Sequence, residues 1–221
     1  MTKFWFIIMK SKYIIFDLDD TLVYEIDFLK SAYIEIAGTL EPERSRALCE
    51  EMFKLYEKKE NVFDVLHQRY PNYSKENLLN IYINHFPVLI LNDGAANVFK
   101  YCKDKGYKIG LISDGRSITQ RNKLKSVKIE NVFDKIVISE EFGSTKPNLE
   151  NYKVFVTDNE TECYYIADNP QKDFITPNKL GWTTICLLDN GKNIHSQNFD
   201  IDTDYLPKIK ISYLNELIEV L

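Results

Sequence analysis

The sequence has few of the residues that mark several large function classes. Its 221 residues include 4 cysteines and 3 histidines. Cys49, Cys102, Cys163 and Cys186 lie far apart, form no CxxC pair, and have none of His67, His85 and His195 close by. That spacing excludes a zinc-ligand pattern and a disulfide framework. The cysteines read instead as small buried thiols in a reducing cytoplasm. A basic surplus is also missing. Lys and Arg number 28 against 33 Asp and Glu, and no basic stripe is visible, so nucleic acid is not the expected partner. Long apolar runs are absent too. The run from Phe4 to Met9 is too short to span a bilayer, follows a single lysine and precedes no small-residue cleavage site. Neither a membrane span nor a secretory signal is expected. Met9 offers an alternative start, because "MKSKYIIFDLDDTL" reads as a natural opening, and residues 1–8 then form an extension.

What is present is an ordinary globular balance. Hydrophobic residues make up 44% and charged residues 28%, enough to build a core and to argue against wholesale disorder. The length allows one domain, or a core with a smaller insertion. No repeat, low-complexity tract or long linker is seen.

Apolar, β-branched runs predict strands over Tyr13–Phe16, Lys108–Ser113, Lys135–Ser139, Cys163–Ala167 and Thr183–Leu187. Helical spacing lies between them, over Ala95–Lys105 (with Gly106 as the residue beyond its end), Ser117–Val127, Leu149–Val156 and Asp173–Leu180, the last interrupted at Pro177. Strand and helix alternate through short loops. The pattern predicts an α/β fold, a Rossmann-like parallel sheet with helices on both faces and right-handed crossovers. Residues 23–88 break the rhythm. They show four helical patterns, Phe28–Ala37, Pro42–Lys58, Val62–Tyr70 and Ser74–Asn84, the last with Ser74 and Asn77 as a cap lacking the full capping box. This stretch predicts a small all-helical cap domain, leaving residues 1–22 and 89–221 as the core. The tail offers a sixth strand in "DYLPKIKI" and a closing helix in "YLNELIEVL".

The chemistry sits where strands end. "YIIFDLDDTL" crowds Asp17, Asp19 and Asp20 behind an apolar run, although such carboxylates repel one another. Ligands of parallel sheets bind beyond the carboxyl ends of the strands, where strand order reverses. Ser113 and Asp114 follow the second strand, Lys146 and Pro147 lie in the loop after the third, and Asp168, Asn169 and Asp173 follow the fourth. Converging carboxylates without a cation would have sharply raised pKa values. Mg²⁺ relieves this, being a hard ion that prefers carboxylate oxygens and water, with Asp17 and Asp168 able to supply two ligands. Lys146 adds a point charge and Ser113 a hydroxyl donor, a set suited to a phosphoryl group. One carboxylate can then attack phosphorus, while the other, two residues on, moves protons.

These residues resemble the haloacid dehalogenase superfamily, in its phosphatase branch. "DLDDTL" matches the first motif, "LISDG" the second, "KP" at Lys146 the third and "IADNPQKD" the fourth, in order from Asp17 to Asp173. The resemblance implies that Asp17 is the nucleophile and a magnesium ligand. It makes Asp19 the general acid/base, with a backbone carbonyl on the metal, and Ser113 a phosphoryl-binding hydroxyl. Lys146 steadies the charge of Asp17 and the phosphoryl oxygens. Asp168 ligates the metal, and Asp173 supports it from behind or through water. The helical insertion matches the cap that closes over such sites and selects the substrate. Ala167 stands where many members have Gly, and Asp114 where Asn is frequent. Asp19 itself favours phosphate esters over carbon–halogen bonds, since dehalogenases lack an Asp there.

The implied activity is Mg²⁺-dependent hydrolysis of a small phosphorylated metabolite through an aspartyl phosphate, by a cytoplasmic monomer, with a dimer as the alternative state. Two rivals remain, a sugar phosphomutase and a catalytically silent binding module. Other polar residues have plainer readings. Asp20 caps the following turn or faces solvent. Lys58, Lys59 and Arg69 lie on solvated helix faces. The basic stretch "GRSITQRNK" forms a solvated face from which only Arg116 approaches the edge. The histidines are structural or superficial.

Overall fold

A computed structural model describes residues 11–156 and 160–221, so the run from Phe4 to Met9 and the alternative start lie outside the described residues. In chain order the elements are β1 (Lys12–Phe16), α1 (Glu25–Leu40), α2 (Ser45–Glu57), α3 (Val62–Arg69), α4 (Lys75–Asn84) and α5 (Ala95–Asp104). There follow β2 (Lys108–Ser113), α6 (Ser117–Ser126), β3 (Lys135–Ile138), α7 (Ser139–Phe142), α8 (Glu150–Lys153) and β4 (Glu162–Ala167). The chain ends with α9 (Ile175–Lys179), β5 (Thr183–Leu187), β6 (Ile209–Ile211) and α10 (Leu217–Val220).

The six strands form one sheet in the order β3-β2-β1-β4-β5-β6, every pairing parallel. β1 is central, and the winding reverses there, with β2 on one side and β4 on the other. Phe16 is in register with Leu111 and with Ile166, so the residue after it leaves the sheet at the switch point.

Side chains alternate across a strand, and β1 serves both faces. Ile14 and Phe16 enter a core with α5, α6 and the C-terminal turns, whereas Tyr13 and Ile15 enter another with Tyr152, Phe155, Phe174 and Trp182. Each fully buried side chain of this size contributes about 1.5–3 kcal/mol, so Ile15→Ala, at 0% exposure, would cost about 2–5 kcal/mol. A third core, around Tyr33, Ile36, Met52, Leu66 and Leu78, lies wholly among α1–α4. Among the described residues, no helix is long and apolar enough to cross a membrane.

Several elements differ from the expectation. The cap of α4 is a full capping box: Asn77 N donates to Ser74 Oγ at 3.1 Å, and Ser74 N donates to Asn77 Oδ1 at 3.1 Å. The Asn77 amide oxygen does the work that Glu or Gln usually does. The segments at 149–156 and 173–180 yield only the short α8 and α9. Pro177 is accommodated in the first turns of α9, where no helical N–H is required, and Gly181 stops the helix with φ 78. The closing helix is a 3₁₀ turn at Leu214–Glu216 running into α10.

Candidate active site

At the carboxyl end of β1 the chain takes one more step in the ladder, with Asp17 N donating to the Ile166 carbonyl at 2.8 Å. It then turns sharply. Thr21, Leu22 and Val23 all donate backbone N–H groups to the Leu18 carbonyl, and Asp20 sits at φ 53. This turn lets residues two apart face different surroundings. Asp20 is 3% exposed, and its carboxylate accepts from Glu25 N at 2.9 Å and from Ile194 N at 3.0 Å. It therefore ties the start of α1 to the loop after β5, which makes it a structural cap and leaves no solvent-facing role.

Asp17, Asp19, Lys146, Asp168 and Asp173 line one cavity of about 290 Å³. Lys146 is 5% exposed, and its ammonium ion-pairs with Asp17 Oδ1 at 2.8 Å and with Asp173 Oδ1 at 2.7 Å and donates to the Tyr165 hydroxyl at 3.3 Å. The loop that carries it is fixed by Asp114, whose Oδ1 accepts from Lys146 N at 3.0 Å and whose other oxygen pairs with Lys172. Asp173 Oδ2 accepts from Asn169 N at 3.2 Å. Asp168 Oδ2 accepts from Asn193 Nδ2 at 2.9 Å. Asp19 turns away from this group toward α6, accepting from Lys123 Nζ at 2.6 Å and from Gln120 Nε2 at 2.8 Å. Ser113 stands behind the cavity wall, 1% exposed, with its hydroxyl bonded to Gln120 Nε2 at 2.5 Å.

Too few cations serve these carboxylates. Oxygens of Asp17, Asp168 and Asp173 lie within 4.8 Å of one another, all buried, around one buried lysine. Burial pushes Asp17 up to about 7, with Asp173 adding to the rise and Lys146 opposing it. Asp168 is pushed to about 9 by burial and by its Asp173 and Asp17 neighbours. Burial works against the Lys146 charge as well, but Asp17 and Asp173 outweigh it and hold its pKa well above the ordinary value. Closely set hard oxygen donors with excess negative charge suit a divalent cation of the Mg²⁺ type.

Beside this cavity lies a cleft of about 300 Å³, lined by Asp19, Glu25, Phe28, Tyr82, Gln120 and Lys123 among others. It separates the sheet's edge from α1 and α4. Two residues here, Glu25 and Asn193, escaped the sequence reading. Glu25 lines both spaces and is pushed to about 7 by burial and by Asp19. His195 is at the surface, as expected, and lines the mouth of the cavity. Asn193 belongs to the turn "DNGKN", which Asp189 Oδ1 organises by accepting from Gly191, Lys192 and Asn193 N at 2.8, 3.0 and 3.0 Å. That turn directly after β5 was the available signal. The basic stretch also differs from expectation: Gln120, Asn122 and Lys123 are buried, while Arg116 is exposed and pairs with Glu140. Arg69 pairs with Glu51, and neither it nor Lys58 or Lys59 lines either space.

A parallel sheet wound from a central strand, with carboxylates and a lysine gathered at its reversal point, defines a hydrolase of one large class. The chain belongs to the haloacid dehalogenase-like hydrolases, whose family model matches residues 14–187. It is 27% identical to a protein of Methanocaldococcus jannaschii named glyceraldehyde 3-phosphate phosphatase, over 95% of this chain and 96% of that one. Its fold is similar to a magnesium-bound HAD-hydrolase of Bacillus subtilis, with TM-score 0.62 and 18% identity over 96% of this chain and 99% of the other. It is equally similar to a 2-haloacid dehalogenase of Pseudomonas syringae, with TM-score 0.63 and 16% identity over 95% and 97%. Phosphatase and dehalogenase share this architecture, so the fold alone does not choose between them.

Proposed function

We propose that the protein is a Mg²⁺-dependent phosphatase of a small phosphorylated metabolite, working through an aspartyl phosphate on Asp17. The observation that carries this reading is the division between two carboxylates on one turn. Asp17 is paired with Lys146 at 2.8 Å in the acidic cavity, and Asp19 faces α6 at the border of the neighbouring cleft. A dehalogenase needs only the first. The archaeal relative's name supports the phosphate ester, and the magnesium-bound neighbour supports the metal.

In this reading Asp17, Asp168 and the Asp19 backbone carbonyl hold Mg²⁺, with Asp173 supporting it. When bound, the ion supplies positive charge that keeps the carboxylates ionised and offsets charge on the phosphoryl oxygens. An Asp17 oxygen forms a bond to phosphorus as the ester P–O bond breaks, and the leaving oxygen takes the proton of Asp19. Water then attacks phosphorus, Asp19 receives its proton, and the Asp17–phosphorus bond breaks to free phosphate. Lys146 holds Asp17 in place and faces the developing charge throughout. Ser113, whose oxygen accepts from Gln120 Nε2, keeps its hydroxyl hydrogen to donate to the phosphoryl group.

The helical stretch 23–88 serves as the cap over the core of residues 1–22 and 89–221, closing the cleft and excluding water during the first transfer. The cleft suits a short leaving group, and a triose phosphate heads the candidates. The enzyme works in the cytoplasm, a reading that its buried cysteines support, as a monomer with a dimer as the alternative.

The test is phosphate release from a panel of phosphorylated trioses, sugars, nucleotides and cofactors with Mg²⁺. Release that disappears in folded Asp17→Asn supports the proposal. An isomeric ester without free phosphate points to a mutase, and no turnover on any ester points to a silent module.

A further inference from the structure

Two buried side chains of α6 take no part in the bond-making and proton-transfer steps above. Lys123 is 2% exposed and Gln120 1%. Lys123 Nζ donates to Asp19 Oδ1 at 2.6 Å, and Gln120 Nε2 donates to Asp19 Oδ2 at 2.8 Å. Both oxygens of Asp19 are thus held by one helix, from positions three apart that share a face. Charge-assisted bonds of this kind are shorter and stronger than neutral ones, and here two of them approach different oxygens.

The helix is itself fixed. Thr119 Oγ1 donates to the Ile83 carbonyl at 2.9 Å, and Asn122 Nδ2 donates to the Asn84 and His85 carbonyls at 3.3 and 3.1 Å. On its other side the Lys123 ammonium lies 4.3 Å from the centre of the Phe28 ring, in cation–π contact. The clamp therefore stands between the sheet's edge and the helical insertion.

Stability does not explain a lysine here. Burying an ammonium is costly, and replacing a buried ion pair with well-packed apolar groups is often neutral or favourable. Asp19 retains 21% side-chain exposure, so its charge is not stranded without a partner. What the pair does accomplish is orientation of one carboxylate.

We propose that Lys123 and Gln120 are positioning residues that hold Asp19 at the border of the two spaces, where leaving oxygen and attacking water must both be met. This rests on the phosphatase reading. Donation to both oxygens suits the half of the cycle in which Asp19 is a carboxylate and takes a proton from water. Proton transfer requires approach to about 2.6–3.2 Å, and a misplacement of about 1 Å can cost about 10²-fold in rate. The second step, release of phosphate from Asp17, should therefore feel the loss of the clamp most.

The test is steady-state and rapid-mixing kinetics of the full chain with Mg²⁺ on p-nitrophenyl phosphate, whose leaving group needs no proton. Lys123→Met should lower kcat about 10–100-fold and KM with it, leaving kcat/KM within about 3-fold, and should reveal a burst of about one p-nitrophenolate per chain before slow turnover. Lys123→Arg should recover part of the loss. A kcat within about 2-fold of wild type, or a loss with neither burst nor recovery in the arginine variant, would overturn the proposal. If Lys123→Met fails to fold, Lys123→Gln, which removes the charge and keeps a polar side chain, carries the same test with the same two outcomes. Wild-type protein that releases no phosphate from any ester overturns the phosphatase reading itself, a result distinct from an active wild type with an indifferent variant.

Discussion

The Lys146 ammonium lies 2.8 Å from Asp17 Oδ1, with both side chains under a tenth exposed. The pair brings together the turn after β1 and the loop between α7 and α8, which are 129 positions apart in sequence, and it does so where the sheet reverses its winding. A buried lysine ion-paired with two carboxylates and bonded to a phenol serves the fold as well as the chemistry.

Removing it should therefore unfold as well as inactivate. Lys146→Met leaves Asp17 and Asp173 buried without their cation, and breaking such a group costs about 3–5 kcal/mol. Urea unfolding without Mg²⁺ should show a loss of that order at pH 9, shrinking below about pH 7, where Asp17 takes up a proton. An unchanged unfolding midpoint would mean that the pairing contributes nothing to the fold.

Stability should depend on pH and Mg²⁺ together. Asp17 and Asp168 titrate near 7 and 9 in the folded chain, above the ordinary carboxylate value of 3.8, so both are more easily protonated folded than unfolded. Their contribution is complete below that ordinary value and is lost as pH rises through the two folded values. Metal-free protein should thus melt at lower temperature at pH 9 than at pH 6. Mg²⁺ should raise the melting temperature more at pH 9, because it binds the ionised carboxylates and displaces protons. A larger Mg²⁺ effect at pH 6 would contradict the assignment of these carboxylates to the metal.

The sheet makes its own prediction at Gly110, in the middle of β2. A Cβ there would fall 2.5 Å from Phe155 Cε1 and 3.0 Å from Tyr13 Cε1. Those rings pack edge to face at 5.1 Å between centroids, so neither can simply withdraw. Gly110→Ala should cost about 1–3 kcal/mol by overpacking, read as a lower urea midpoint with activity retained at low temperature. A neutral substitution would show that this layer is looser than its geometry.

The four cysteines should be silent in the native state. All are buried, and burial pushes the Cys102 and Cys186 thiols up to about 12. A water-soluble thiol reagent at pH 8 should label the folded protein slowly and all four sites rapidly in urea. Fast labelling of the native chain would show that one of these cores opens readily.

Much of this was legible in the sequence because strands with both faces buried are written as continuous apolar runs. β2 and β5 match their predicted limits, and β1, β3 and β4 differ by one residue at an end. The acidic residues that follow β1 and β4, and Lys146, could be placed because parallel topology sends each strand's end to the same rim. α6 was not legible. Its buried face is Thr119, Gln120, Asn122 and Lys123 beside Leu124, a polar stripe that periodicity assigns to solvent. Only the tertiary partners, Asp19 and the carbonyls at the end of α4, give that face something to bury against. Asn193 was missed for a related reason, since it reaches the site on a turn whose direction depends on Asp20 and Asp168, distant in sequence.

The central claim is that Asp17 carries the phosphoryl group between substrate and water. Rapid acid quench during turnover of a phosphate ester, followed by proteolysis and mass mapping, tests it directly. The expected result is a phosphorylated peptide whose modification maps to Asp17, absent from Asp17→Asn. Steady phosphate release with Asp17 never modified, or with the phosphoryl group trapped on another side chain, would contradict it.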